Sequence, residues 1–403
     1  MTEDIRINMF QAGQGDAFII SCGIGEQKKN IMIDGGTGDT FASSLQGFLK
    51  ELDEQGEKID LLIVTHIDND HIGGVIEMLK HNKELGKTKI ICIEEVWHNA
   101  YLQLQLDKQD QISEHQRRVV QEIKDRGDGS GESEKSEIST RQGSFLGSLL
   151  YEDDYNWNGY TDGIAISVEN VPVYAFSDDL KLYILSPTNK CLEELGRFWL
   201  NELNKRNYIG KTSNGKLFDD AYEMLLRRIE EEEKKKQKEI KSKISSTRMS
   251  WDSYLNEVFK EDGKPTNKSS IAFVLEFKEK KLLYLGDAAP SVVEEKLREI
   301  YKSEKIPYKF DIVKVSHHGS SGNMSPELLK LIDSDKYLFS TNGKYGHPDL
   351  STLVKIAENY PKKEVVKELI FNYENDSLKW MNSNIEKIKS LNYIAKVSNY
   401  EEV

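Results

Sequence analysis

The stretch Leu61–Val75, LLIVTHIDNDHIGGV, decides the reading of this chain. It opens with four apolar residues, Leu61–Val64, of the kind that fill a buried strand. Thr65-His66-Ile67-Asp68-Asn69-Asp70-His71 then sets two imidazoles and two carboxylates within six residues. Gly73 and Gly74 follow, and Val75-Ile76 begin the apolar face of a helix. A tight strand-to-helix loop can direct such side chains into one small volume. Imidazole nitrogens beside carboxylate oxygens suit a divalent metal. Packed together without a cation, the four groups would repel and dehydrate one another. Capping of the following helix by Asp70 explains one acid; it leaves the other three groups unexplained.

On the N-terminal side, Ile5 to Phe10 alternates apolar and polar residues like a half-buried strand. Gln11-Ala12-Gly13-Gln14-Gly15-Asp16 makes a Gly-rich turn into a second strand, Ala17 to Cys22, and a third, Ile31 to Asp34, stops at Gly35-Gly36. Strands this close suggest a meander. Phe41 to Leu52 reads as an amphipathic helix. On the C-terminal side a helix runs through Leu85, then a strand over Lys89 to Trp97 and helix over much of Tyr101 to Arg126. Gly127 to Ser133 is a polar break. Ile164 to Val168 and Leu182 to Leu185 are candidate strands. Arg227 to Lys243 carries Glu230 to Glu233 ahead of Lys234 to Lys236, an order that favours i,i+4 pairs. That stretch reads as a solvated insertion helix, with a docking arm for a protein partner, around 217–260, as the functional alternative.

Strands then return. Ser270 to Phe277 and Leu282 to Leu285 form a hairpin ending in Gly286-Asp287-Ala288. After a helix (Val292 to Tyr301), the strand Asp311 to Val315 ends in Ser316-His317-His318-Gly319-Ser320. Helix, strand and helix follow, with Asn342 to Pro348 between the last two. Polar groups thus stand just beyond three apolar strands, where a rigid sheet can hold them in fixed positions. From Val365 onward, Glu368 to Tyr373 and Ser377 to Ile388 carry strand and helix patterns that complete the architecture or cover its edge.

Composition limits the function. A net charge of −13 disfavours a surface built to grip long duplex nucleic acid. Cys22, Cys92 and Cys191 are odd in number, far apart and set in or beside apolar runs, so they read as buried free thiols of a reducing compartment. No apolar run reaches a membrane span and the N-terminus lacks a signal pattern. The expectation is a cytoplasmic protein with no membrane.

The motifs His66-x-Asp68-x-Asp70-His71-x-Gly73-Gly74, Gly286-Asp287 and Ser316-His317-His318-Gly319-Ser320 resemble the metallo-β-lactamase superfamily, with Asp68 where its HxHxDH motif has the second His. Together with GQGDA (Gly13–Ala17) and YGHP (Tyr345–Pro348), they are similar to the soluble hydrolase domain of ComEC-type DNA-uptake proteins. The resemblance runs from about Ile5 to Ile356. It implies an α/β fold, an αββα four-layer sandwich, as a single domain over 1–403 with helical insertions near 99–150 and 201–264. It implies a two-metal site, zinc or alternatively manganese. His66 and Asp68 would hold one ion, Asp70, His71 and His317 the other, and Asp287 would bridge. Asp70 would orient the nucleophile, and His318 or His347 would protonate the leaving group. Asp16 and Asp34 are either acceptors for the ligand imidazoles or turn caps. The superfamily's further His between His71 and Asp287 has no convincing counterpart, since His81, His98 and His115 read as ordinary surface or packed residues.

The function so implied is metal-dependent hydrolysis of a phosphodiester in a nucleotide or single-stranded nucleic acid. A lactone or thioester hydrolase is the alternative within enzymes. A metal-binding regulatory module whose catalysis has lapsed is the alternative outside them.

Overall fold

The computed structural model describes residues 5–84, 87–104, 106–126, 145–244, 249–360 and 365–403. Among them β1 (Ile5–Met9), β2 (Phe18–Cys22) and β3 (Lys29–Ile33) form the antiparallel meander, and β4 (Leu61–Val64) adds parallel to β3. A short ribbon, β5 (Lys83–Glu84) with β6 (Lys87–Thr88), follows the helix Asn69–Asn82. The strand expected over Lys89 to Trp97 is only β7 (Val96–His98), which pairs with β4. Ahead of it the chain meets the sheet through a lone bridge, Ile59 to Ile93.

The second sheet contains β8 (Val173–Ala175), β9 (Leu180–Ser186), β10 (Ala272–Phe277), β11 (Lys280–Tyr284), β12 (Tyr308–Lys314), β13 (Ile332–Phe339), β14 (Lys367–Phe371) and β15 (Tyr393–Val397). Its order is β15-β14-β13-β12-β11-β10-β9-β8, while the first sheet runs β16-β1-β2-β3-β4-β7 with β16 (Tyr400–Glu402) at its edge. The C-terminal segment therefore extends both sheets. Ile164 to Val168 forms no strand, because the Asn99 side chain takes its backbone: Ile166 N donates to Asn99 Oδ1 and Asn99 Nδ2 to Ile166 O, both at 2.8 Å.

Three apolar layers follow from the alternation of side chains along these strands. Ile5, Ile7, Phe18, Ile20, Ile31, Ile33, Leu61 and Ile63 meet Leu182, Phe273, Leu275, Leu282, Ile312 and Leu338 between the sheets. Their alternates, Ile19, Met32, Leu62 and Val64, face helices Gln46–Glu54 and Asn69–Asn82. On the far side Val274, Leu283, Val313 and Phe371 face Pro290–Ile300 and Leu350–Glu358. Helix, sheet, sheet and helix make the four layers.

Helical segments between β7 and β10 share this core. Tyr101, Val120, Leu146, Trp199, Phe218, Tyr222 and Leu225 continue the apolar layer over the first sheet. The charged stretch lies in one helix, Lys216–Ile244. The helix's first half is a core element; within the charged stretch Glu230 is buried, whereas Glu232, Lys235 and Lys236 are exposed. Cys22 and Cys191 are buried, whereas Cys92 is exposed, contrary to expectation, beside the bridge that replaces the expected strand. No helix among the described residues is long and apolar enough to cross a membrane.

Candidate metal centre

Parallel pairing sets the site. β3 and β4 run side by side and end together, so Asp34 and Thr65-His66 emerge from one edge. β11 and β12 are parallel too, which brings Gly286-Asp287 and Ser316-His317-His318 off the adjoining edge. The sheets are tied where Ile271 N donates to Thr65 O at 2.9 Å. Ligands commonly bind beyond such carboxyl ends.

At the centre stands Asp287. Its Oδ2 has four imidazole Nε2 atoms around it: His66 at 3.6 Å, His317 at 3.6 Å, His71 at 3.7 Å and His318 at 3.9 Å. Asp68 Oδ2 is 3.4 Å from His66 Nε2, and Asp70 Oδ2 is 3.9 Å from His318 Nε2. Most of these separations exceed a hydrogen bond. Two ligands each about 2.1 Å from one tetrahedral ion lie roughly 3.4 Å apart, which is the spacing seen here. His66 Nε2, Asp68 Oδ1, Asp70 Oδ2, His71 Nε2, Asp287 Oδ1 and His318 Nε2 are all buried without a hydrogen-bond partner among the described residues. Buried polar atoms are rarely left so. Converging orphaned nitrogens and oxygens are what a divalent cation satisfies, and the donor set fits one.

The far side of each ring is occupied, which fixes the tautomer and aims Nε2 inward. His71 Nδ1 lies 2.8 Å from Asp34 Oδ2, and His66 Nδ1 is 3.0 Å from Thr65 Oγ1. Thr65 is itself held by Asp34 through its amide and hydroxyl. His318 Nδ1 meets Ser340 O at 2.9 Å and Asp16 Oδ1 at 3.3 Å. His317 Nδ1 meets Asn323 Oδ1 at 2.9 Å. Asp16 is paired with the buried Lys314 ammonium. Ser270 Oγ accepts from Asp287 N at 3.0 Å.

His317 and His318 both adopt positive φ, 46° and 54°, a costly conformation for two consecutive non-glycine residues. It turns both rings toward Asp287. His318 stands with Asp70 and His71, three groups whose ligand atoms lie within 4.8 Å of one another, while His66, His71 and Asp287 form a second such group. His317 approaches Asp287 from a less buried side and touches the His347 ring, centroid to centroid 5.4 Å. His347 is half-buried on the rim and reaches Asp349 Oδ2 at 3.6 Å. Of the other histidines, His98 is buried and stacks on Trp157, and burial pulls its imidazole down to about 4. His81 and His115 are exposed.

Burial pulls His71 down, but the carboxylates of Asp287 and Asp34 outweigh it and lift the imidazole to about 10. Burial would raise Asp287; the rings of His317, His318, His71 and His66 hold it well below the usual carboxylate range.

One contribution lies outside the motifs. The helix Lys216–Ile244 places Lys234 Nζ 2.6 Å from Asp70 Oδ1 and in contact with Glu230. The oxygens of Asp68, Asp70 and Glu230 gather within 4.8 Å. Burial drives the Glu230 carboxyl up, Lys234 opposes this, Asp68 and Asp70 add to it, and the balance is about 8. A cavity of about 760 Å³ opens beside Asp70 and Asn69, with Lys80, Arg227, Lys234, Lys235 and Lys344 on its walls. Tyr345 and Tyr373 line it as well.

Residues 11–95 match the family model described as the metallo-beta-lactamase superfamily. "Lactamase-like protein adaB" from Aspergillus niger is 37% identical over 62 residues, which are 15% of this chain and 19% of that protein. A second Aspergillus niger sequence of that name matches equally. The chain thus spans about a fifth of the length of these curated relatives. Among solved structures, a point mutant of CmlA beta-hydroxylase aligns over 100% of this chain and 54% of its own, with 9% identity and a TM-score of 0.34. The two sheets with helices on both outer faces are consistent with the metallo-beta-lactamase fold. None of these relatives bears on the resemblance to ComEC-type proteins.

Proposed function

We propose that this protein is a metal-dependent hydrolase of phosphodiester bonds in a nucleotide or a single-stranded nucleic acid. The observation that carries the metal is the set of four imidazole nitrogens, 3.6 to 3.9 Å from one carboxylate oxygen of Asp287. His66, Asp68, Asp70, His71, Asp287 and His318 would hold the ions, with His317 as a further imidazole where this chain has no counterpart of the superfamily's His between His71 and Asp287. A pair of bound divalent ions would lower the pKa of a water towards neutrality and offset charge on the substrate. Zinc suits the imidazoles, and the carboxylate share makes manganese the alternative.

The chain's own groups do the rest. Asp70 has one oxygen anchored to Lys234 and the other turned to the site, so it can orient the attacking water. His318 is aimed into the cluster, which leaves His347 on the rim as the imidazole able to protonate the departing oxygen. The cationic side chains on the cavity wall favour an anionic substrate, and Tyr345 and Tyr373 offer faces for a base. The cavity's size suits a nucleotide-scale ligand.

The test is hydrolysis of an aryl phosphodiester by metal-stripped protein reloaded separately with zinc and manganese, beside Asp287→Ala. Turnover that needs metal and disappears in Asp287→Ala is expected. Metal binding without phosphodiester turnover, but with lactone or thioester turnover, would replace the substrate class. Binding with no turnover of any of these would leave a regulatory module.

A further inference from the structure

The carboxylates of Asp68, Asp70 and Glu230 form a second cation locus beside the imidazole cluster. All three are buried, 3%, 1% and 5% exposed, and their oxygens lie within 4.8 Å of one another. Asp68 lies in the loop after β4 and Asp70 in the first turn of the helix Asn69–Asn82; Glu230 comes from the helix Lys216–Ile244, in the interval between His71 and Asp287. The only ammonium described among them is Lys234, one helical turn beyond Glu230, at 2.6 Å from Asp70 Oδ1. The nearby Arg227 is committed elsewhere, with Nη1 on Glu223 at 3.1 Å and Nη2 on Asn69 Oδ1. Lys234 thus meets two of the three carboxyls, Asp70 and Glu230, and the His66 imidazole faces the third, Asp68. Asp68 Oδ1 and Asp70 Oδ2 remain without hydrogen-bond partners among the described residues.

We propose that Asp68, Asp70 and Glu230 form an oxygen-only site for a hard divalent cation at the mouth of the cavity, and that Lys234 is its built-in competitor. Carboxylates with no nitrogen or sulfur donor favour manganese, magnesium or calcium over zinc. The ammonium of Lys234 neutralises the same oxygens, so ion and lysine exclude one another. The insertion helix thereby becomes part of the metal centre through one ligand and one rival. This inference shares Asp68 and Asp70 with the hydrolase reading.

Opposed variants test it. Metal-stripped full-length protein is titrated with Mn2+, free Mn2+ being read by its electron paramagnetic resonance signal, and zinc retention is measured on the same samples. Glu230→Gln is expected to weaken Mn2+ binding at least ten-fold, and Lys234→Met to tighten it at least ten-fold. Mn2+ should also raise the melting temperature of Lys234→Met by more than that of the wild type, a readout that survives if this variant is less stable. A helix with a purely structural role would weaken binding in both variants. That result, or unchanged binding in both, overturns the proposal. Wild type that turns over no phosphodiester with either zinc or manganese while the opposed Mn2+ responses persist would overturn the hydrolase reading and leave this site standing.

Discussion

The Nδ1–H of His71 donates to Asp34 Oδ2 at 2.8 Å, and neither side chain has any exposed surface. Asp34 also accepts from the Thr65 amide and hydroxyl, so one carboxylate braces both His71 and the residue that touches His66. Its φ of 56° suits Asn as well as Asp. Asp34→Asn should therefore keep the backbone while removing the charge behind the ring. Loss of such a partner costs about 10–100-fold in metal affinity, and zinc titration against a competing chelator measures it. Wild-type affinity would mean that ring orientation alone suffices.

Lys314 and Asp16 form an ion pair with both partners buried, and Asp16 in turn faces His318. Removing one partner strands a charge. Lys314→Met should cost about 3–5 kcal/mol in denaturant unfolding, and Lys314→Met with Asp16→Asn should recover much of that loss. Equal losses in the single and double variants would show that packing, not charge, is at stake.

Gly15 packs against the metal loop so closely that a Cβ there would stand 1.6 Å from the Asp70 carbonyl oxygen. Both partners are backbone, so no side chain can yield. Gly15→Ala should shift the loop and lower metal affinity as well as the melting temperature. Gly47, in a helix with open space around its Cβ position, is the control. Gly47→Ala should be neutral or stabilising by up to about 1 kcal/mol.

Asp219 is buried in the helix Lys216–Ile244. Burial, helped by the neighbouring Asp220 carboxylate, drives its carboxyl up from 3.8 to about 7. The folded protein keeps this proton up to about pH 7, whereas the unfolded chain releases it near 3.8. Stability from this group is thus present at low pH, falls as pH rises between those values, and is flat above. Asp219→Asn carries no titrating carboxyl, so its melting temperature should gain on the wild type progressively from pH 4 to 7. Parallel curves would contradict the raised value.

Much of the site could be read in the sequence because its residues lie in short loops just after apolar strands. β4 with His66 to His71, β11 with Asp287 and β12 with His317-His318 each carry that signal. What could not be read depends on tertiary context. Strand alternation does not say how His317 and His318 point, because the strand's period of two ends before them and both residues turn left-handed. Glu230 and Lys234 do pair i,i+4, as their spacing suggests, but a charge pattern does not say which face of a helix is buried. Ser270 stands at the start of an apolar run, and nothing in that pattern shows that its hydroxyl accepts from the Asp287 amide. The segment Ile164 to Val168 has a strand's composition, and a side chain, Asn99, took the place of a neighbouring strand.

The pairing of β1 with β16 has a consequence in time as well as in space. During synthesis β1 waits until β16 has been made before that edge is covered. The loop with His66 to His71 can form early with the local meander, but Asp287, His317 and His318 come from the other sheet, far later in the chain. Contacts between such distant segments slow folding. The imidazole cluster should therefore be among the last features to consolidate, so a metal added during refolding would act on a late event rather than seed an early one.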